Sequence, residues 1–134
     1  MLFRSPDSAE KFTDETIGCI GVTNNKTRNL LLQAVSCNTI GTQFDAQATE
    51  LAMLKFIVKC GPDDIFHSLR QRYLPKDLLR FQFDSARKRM STVLELEEED
   101  ETEHGYPKRI HVKGASEIIL GTCTHYINSN GEKA

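Results

Sequence analysis

The chain has 134 residues, of which 39% are hydrophobic and 27% charged, with a formal net charge of −2. That length fits one domain around one core, burying roughly two thirds of the surface its unfolded chain exposes. The small net charge excludes a global pull toward nucleic acid or an anionic membrane, no apolar run approaches the roughly 20 residues of a membrane span, and "MLFRSPDSAE" is too polar for a signal peptide.

Residues 1–29 are polar and loop-like, with "IGCIGV" (17–22) reading as a short strand. A helix follows over 28–38, capped by Asn24, Asn25 or Thr27, with Leu31, Leu32 and Val35 on its apolar side. "TIGTQ" breaks that pattern. Asp45 is a good N-cap for a second helix over 46–60, closed by Gly61 and Pro62 in the usual order. Apolar residues nearly circle this helix, so it is expected to be largely buried. Glu50 and Lys55 are its exceptions, and each must meet solvent, a partner or a ligand. Pro62-Asp63-Asp64 suits the first turn of a third helix carrying Ile65, Phe66, Leu69 and Tyr73, which Pro75 stops.

From residue 78 the period changes to two. "LLRFQFD" alternates Leu79, Phe81 and Phe83 with Arg80 and Gln82, and "MSTVLELE" alternates Met90, Thr92, Leu94 and Leu96 with Ser91, Val93 and Glu95. These read as neighbouring antiparallel strands. From Glu95 to Glu103 seven of nine residues are acidic, so 97–104 reads as an exposed, flexible loop rather than a calcium site, which needs glycine and spaced oxygens. "KRIHV" (108–112) is a third strand with Ile110 and Val112 on one face. Ser116 caps a short helix through about Cys123, and "HYINSNGEKA" announces an Asn-Gly hairpin whose second strand is not expected within this chain. Helices early and antiparallel strands late make the class α+β, an antiparallel β-sheet flanked by helices.

Much chemistry is missing. Cysteines 19, 37, 60 and 123 form no CxxC pair and read as buried reduced thiols, and the four histidines have no metal spacing. There is no GxxxxGK[ST], GxGxxG, GxSxG or HExxH. No catalytic and no metal-binding residue is assigned.

Two basic stretches remain. In "FDSARKRMS" (83–91) the aromatic Phe83 precedes Arg87, Lys88 and Arg89, which suits a flat ring joined to phosphates. In "HVKGAS" (111–116) Lys113 is followed by Gly114, where a ligand can approach the backbone closely, and Ala115 and Ser116 keep the site open. Read singly, each is an ordinary turn, with Phe83 a core residue and Arg87–Arg89 solvated.

In order, however, "QATELAMLKF", "FDSARKRMSTV" and "IHVKGASEIIL" resemble the nucleotide-binding (N) domain of a P-type cation-transporting ATPase, most closely the plasma-membrane calcium pumps. The resemblance covers roughly residues 28–126. It implies that residues 1–134 are a single nucleotide-binding domain, a fragment of a larger membrane pump. It implies that Phe83 stacks on adenine and that Glu50 accepts a hydrogen bond from the adenine amino group. Lys113 lines the adenine pocket, which Gly114 and Ala115 shape, and Lys88 sits near the phosphates. Two departures stand out: a usual glycine before "ATEL" is missing, and Ser85 replaces an arginine that contacts nucleotide in some members.

The family's phosphorylation motif "DKTGT" is absent, so the chain is expected to hold ATP (Mg-ATP in the intact pump) without cleaving it. The implied partners are the phosphorylation and actuator domains of the parent pump, with no nucleic acid, and with the membrane reached only through the parent chain. The isolated domain is expected to be a monomer, a cytoplasmic domain of an integral protein of the plasma membrane or an intracellular membrane. The competing reading is a regulatory or protein-interaction domain using its acidic loop and basic turn. An autonomous hydrolase ranks last.

Overall fold

The computed structural model describes residues 25–60, 64–97 and 107–134. In chain order these form helices α1 (Asn25–Cys37), α2 (Ala48–Cys60) and α3 (Ile65–Tyr73), strands β1 (Arg80–Asp84), β2 (Arg89–Glu95) and β3 (Lys108–Gly114), and helix α4 (Ser116–Thr122). The strand expected at 17–22, the Gly61-Pro62 stop, the Pro62-Asp63 helix start and all but Glu97 of the expected acidic loop lie outside the described residues. The three strands form one antiparallel sheet in the order β1-β2-β3, so the α+β class holds.

The β1–β2 turn forms because Asp84 folds back on it. Asp84 Oδ1 accepts the Ala86 N–H at 2.7 Å, and the Asp84 carbonyl accepts the Lys88 N–H at 2.6 Å. Lys88 closes the turn with φ at 54°, a left-handed conformation uncommon for a residue with a side chain.

The core has two parts. Cys37, Tyr73 and Leu94 join α1, α3 and the sheet, with Leu69, Leu74 and Leu96 against them. Leu54, Ile57 and Phe66 join α2 and α3, with Leu32 and Val35 of α1 packed on them. Both parts lie on one side of the sheet, here called the inner face.

The structure corrects several local expectations. Asp45 is not the N-cap of α2: its Oδ1 accepts the Thr42 N–H (2.6 Å) and hydroxyl (2.9 Å), and the helix starts three residues later. Those bonds lower the Asp45 pKa. Helix α2 is half-buried rather than largely buried, with Leu54 and Ile57 inside and Ala48 and Ala52 exposed. Helix α1 buries Gln33, Ser36 and Cys37, while Leu31 is exposed, because that side faces polar groups of the sheet. Ala115, not Ser116, occupies the N-cap of α4, its carbonyl accepting the Ile118 and Ile119 N–H groups. Cys37 is a buried thiol, but Cys123 is exposed.

The C-terminal hairpin also finds its second arm within the chain. Tyr126 and Ala134 exchange backbone hydrogen bonds at 3.0 and 2.8 Å, Ile127 bridges Lys133, and Gly131 takes φ at 78°.

Candidate functional site

The site is built outward from the end of α1. Its last turn has no basic residue of its own, so its free carbonyls need donors from elsewhere. Two arginines supply them. Arg70 of α3 donates from Nε to Ser36 O (2.7 Å), from Nη1 to Gly41 O (2.6 Å), and from Nη2 to Thr39 O (3.2 Å) and Oγ1 (2.8 Å). It also lies over the Phe66 ring, 4.9 Å from its centroid. Arg80 of β1 donates to Cys37 O at 2.8 Å and to Thr92 Oγ1 at 3.0 Å. Thr92 in turn donates to Asn38 Oδ1 at 2.7 Å, tying the end of α1 to the middle of the sheet. Burial lowers the pKa of both guanidiniums.

The loop that Arg70 holds fixes the first candidate residue. The Ile40 N–H, between the two carbonyls that Arg70 grips, donates to Glu50 Oε2 at 3.0 Å. Glu50 Oε1 accepts from Lys113 Nζ at 2.6 Å, with side-chain exposures of 17% and 29%. Both oxygens of Glu50 are therefore engaged, and the charge that looked out of place on α2 has a partner 63 residues away. Each oxygen keeps lone-pair capacity for a further donor.

Strand register places the second candidate. Phe81 pairs with Ser91, but Asp84 pairs with Arg89, so β1 has one residue more than β2 over this span. Gln82 and Phe83 together oppose Met90, which itself pairs with Lys113. Such a bulge re-aims side chains. By register, Phe83 leaves the face of Phe81 and joins that of Met90 and Lys113. The simple alternation of Leu79, Phe81 and Phe83 is broken there. Phe83, Met90 and Lys113 form one row across three strands, with about 10 Å between the outer two. Met90 is buried, while Phe83 is 62% exposed and so is no core residue.

Gly114 and Ala115 meet the hairpin turn. A Cβ on Gly114 would collide with the Lys88 carbonyl and lie 2.9 Å from Arg89 Cα. The backbone that approaches this glycine is the chain's own. The Ala115 N–H donates to Lys88 O at 3.0 Å, so the turn carrying Lys88 is locked to the end of β3. The structure thus brings Glu50 to Lys113 and, by backbone, Lys88 to Gly114 and Ala115. Phe83 shares their face of the sheet by register, two strands away from Lys113.

Sequence reasoning missed the arginine clasp and a second buried network. Arg109 Nη1 and His111 Nε2 both lie 2.8 Å from Gln33 Oε1, so His111 is the Nε2–H tautomer donating to that oxygen. Burial, with Arg109 beside it, pushes the His111 pKa down to about 4. The polarity of Gln33 and Ser36 in α1, and of Asn38 and Thr39 just after it, was the available signal.

Comparison with known proteins places this arrangement. The model of the family described as P-type ATPase, cytoplasmic domain N, matches residues 18–134. The chain is 39% identical over 85 residues to plasma membrane calcium-transporting ATPase mca-1 of Caenorhabditis elegans, covering 63% of this chain and 6% of that protein. It is 42% identical over 86 residues to plasma membrane calcium-transporting ATPase 3 of Rattus norvegicus, with the same coverage. It is 36% identical over 112 residues to calcium-transporting ATPase 2, plasma membrane-type, of Arabidopsis thaliana, covering 77% of this chain and 10% of that protein. The chain thus spans a tenth or less of these relatives' length. No solved structure matches it significantly.

Proposed function

This chain belongs to the family of P-type ATPase cytoplasmic N domains, and we propose that it binds ATP through the adenine ring and presents the γ-phosphate to a separate phosphorylation domain. Phe83 stacks on the base. Glu50 accepts a hydrogen bond from the adenine amino group while Lys113 neutralises its charge and lines the pocket. Lys88, on the turn locked to Gly114 and Ala115, faces the phosphates of Mg-ATP. The parent protein, on this reading, is a calcium-transporting pump, and its phosphorylation and actuator domains are the partners.

The observation that carries the reading is the meeting of Glu50 and Lys113, from α2 and β3, on the face that also holds the exposed Phe83. An aromatic face, a carboxylate acceptor and a cation are the groups an adenine nucleotide needs. One stacked base and a few exposed charge contacts amount to a dissociation constant on the order of 1 mM.

The test is an ATP titration of the isotopically labelled chain. Amide shifts should cluster at Glu50, Phe83, Lys88 and Lys113–Ala115, and Phe83→Ala should weaken binding at least about five-fold. Shifts elsewhere, or unchanged binding by Phe83→Ala, would sink the proposal. A phosphate-release assay on the same chain should show no turnover.

A further inference from the structure

We propose that Arg70 is a positioning residue for adenine recognition, acting through the Ile40 N–H on Glu50. The inference rests on the reading of Glu50 as the adenine contact. Arg70 itself is on α3 and appears in none of the motifs that suggest nucleotide binding. It holds Thr39 O and Gly41 O, the carbonyls on either side of Ile40, at 3.2 and 2.6 Å, and Thr39 Oγ1 at 2.8 Å. Gly41 takes φ at 89°, and the chain bends there, immediately after Ile40. With its neighbours fixed, the Ile40 N–H has one direction, and it points at Glu50 Oε2. Lys113 holds the other oxygen, so the carboxylate plane is set by two donors from opposite sides.

The guanidinium fork suits this task. Its donors lie in one plane and reach three carbonyls and a hydroxyl at once, which an ammonium on a flexible stem does not reproduce. The Phe66 ring beneath it fixes that plane from the core. Losing the clasp frees residues 39–41, and Glu50 then keeps only Lys113. A carboxylate held by one flexible amine swings toward it, away from the position an adenine amino group requires.

The experiment compares ATP with inosine triphosphate, which has no exocyclic amino group to donate. The wild-type chain should prefer ATP by about ten-fold, the worth of one hydrogen bond to a charged acceptor. Arg70→Lys should reduce that preference to within about two-fold, as should Glu50→Ala, and the double variant should be no worse than either alone. The Ile40 amide resonance should move upfield in both single variants. Leu94→Ala, which lowers stability through the core, should leave the ATP preference unchanged. Thr39→Val removes only the hydroxyl from the clasp; it should give an intermediate loss, and it decides the matter if Arg70→Lys does not fold. An unchanged preference in Arg70→Lys, or additive effects with Glu50→Ala, overturns the role of Arg70 while ATP binding by the wild type stands. If the wild type binds no ATP, or does not discriminate, the adenine reading fails and this inference fails with it.

Discussion

The inner face of the sheet carries Arg80, Met90, Thr92, Leu94, Arg109, His111 and Lys113 toward the helices. The outer face carries Leu79, Phe81, Ile110 and Val112, all of them exposed, Ile110 to 60%. Arg80 of β1 and Arg109, His111 and Lys113 of β3 are thus turned inward, while the apolar Phe81, Ile110 and Val112 are turned outward. The inward ones are tolerated because their hydrogen bonds end on acceptors of the helices: Arg80 on Cys37 O, Arg109 and His111 on Gln33, Lys113 on Glu50. Burial of a polar side chain is costly only when its hydrogen bonds go unmade. The central strand turns Met90 and Leu94 to the covered face, and on its two neighbours the supply of partners lets polar residues share that face.

The sharpest challenge to that contrast is Gly114, which shares its register parity with the outer residues. If outer positions tolerated every change, Gly114→Ala would be harmless. Its Cβ would instead strike the backbone of Lys88 and Arg89. A loss of about 3 kcal/mol or more is expected in chemical denaturation, with loss of the Ala115–Lys88 bond visible as faster amide exchange at Ala115. An inner position on β2 tests the rule directly. Thr92→Val keeps the volume but removes the partner of Asn38 Oδ1 and Arg80 Nε, so it should cost about 2 kcal/mol.

His111 extends the contrast to pH. It is neutral when folded, with a pKa near 4 against an ordinary 6.5. As pH falls below 6.5 the unfolded chain takes up a proton that the folded chain refuses, so stability is lost progressively between pH 6.5 and 4 and is fully present above that window. The loss should be on the order of 2 kcal/mol by pH 4, and His111→Gln, which keeps a donor for Gln33, should flatten this part of the profile. Smaller effects lie at two further sites. Ser36 is completely buried, and among the described residues its hydroxyl has no partner, so Ser36→Ala should stabilise the chain by up to about 1 kcal/mol. Ile110→Thr on the outer face should change stability by less than about 0.5 kcal/mol. A cost for Ile110→Thr as large as that for Thr92→Val would erase the contrast between the faces.

Much of the fold was legible. The change of period from about 3.6 to 2 near residue 78 located the last helix of the first group and the first two strands, because each period reflects a backbone geometry that needs no distant partner. The ordered motifs placed Glu50, Phe83, Lys88, Lys113, Gly114 and Ala115 in one family pattern. What alternation could not show was which side of each strand would be covered, since that depends on Gln33, Asn38 and Glu50, each 50 or more residues away along the chain. The bulge at Gln82-Phe83 was equally silent, because nothing in "RFQFD" marks an extra residue until β2 is laid beside it.

The sequence by itself determined most of the elements, their order and the family pattern. These are local facts, set by backbone preference, side-chain period and short motifs. Only the tertiary structure decided that Phe83 sits on the face of Lys113 and that Glu50 is held from two sides. It also showed that Gly114 is required by the chain's own turn and that Arg70, far from every motif, orders the loop beneath the site. Each of these depends on which donor meets which acceptor across long stretches of chain, and that pairing is fixed only when the helices close over the sheet.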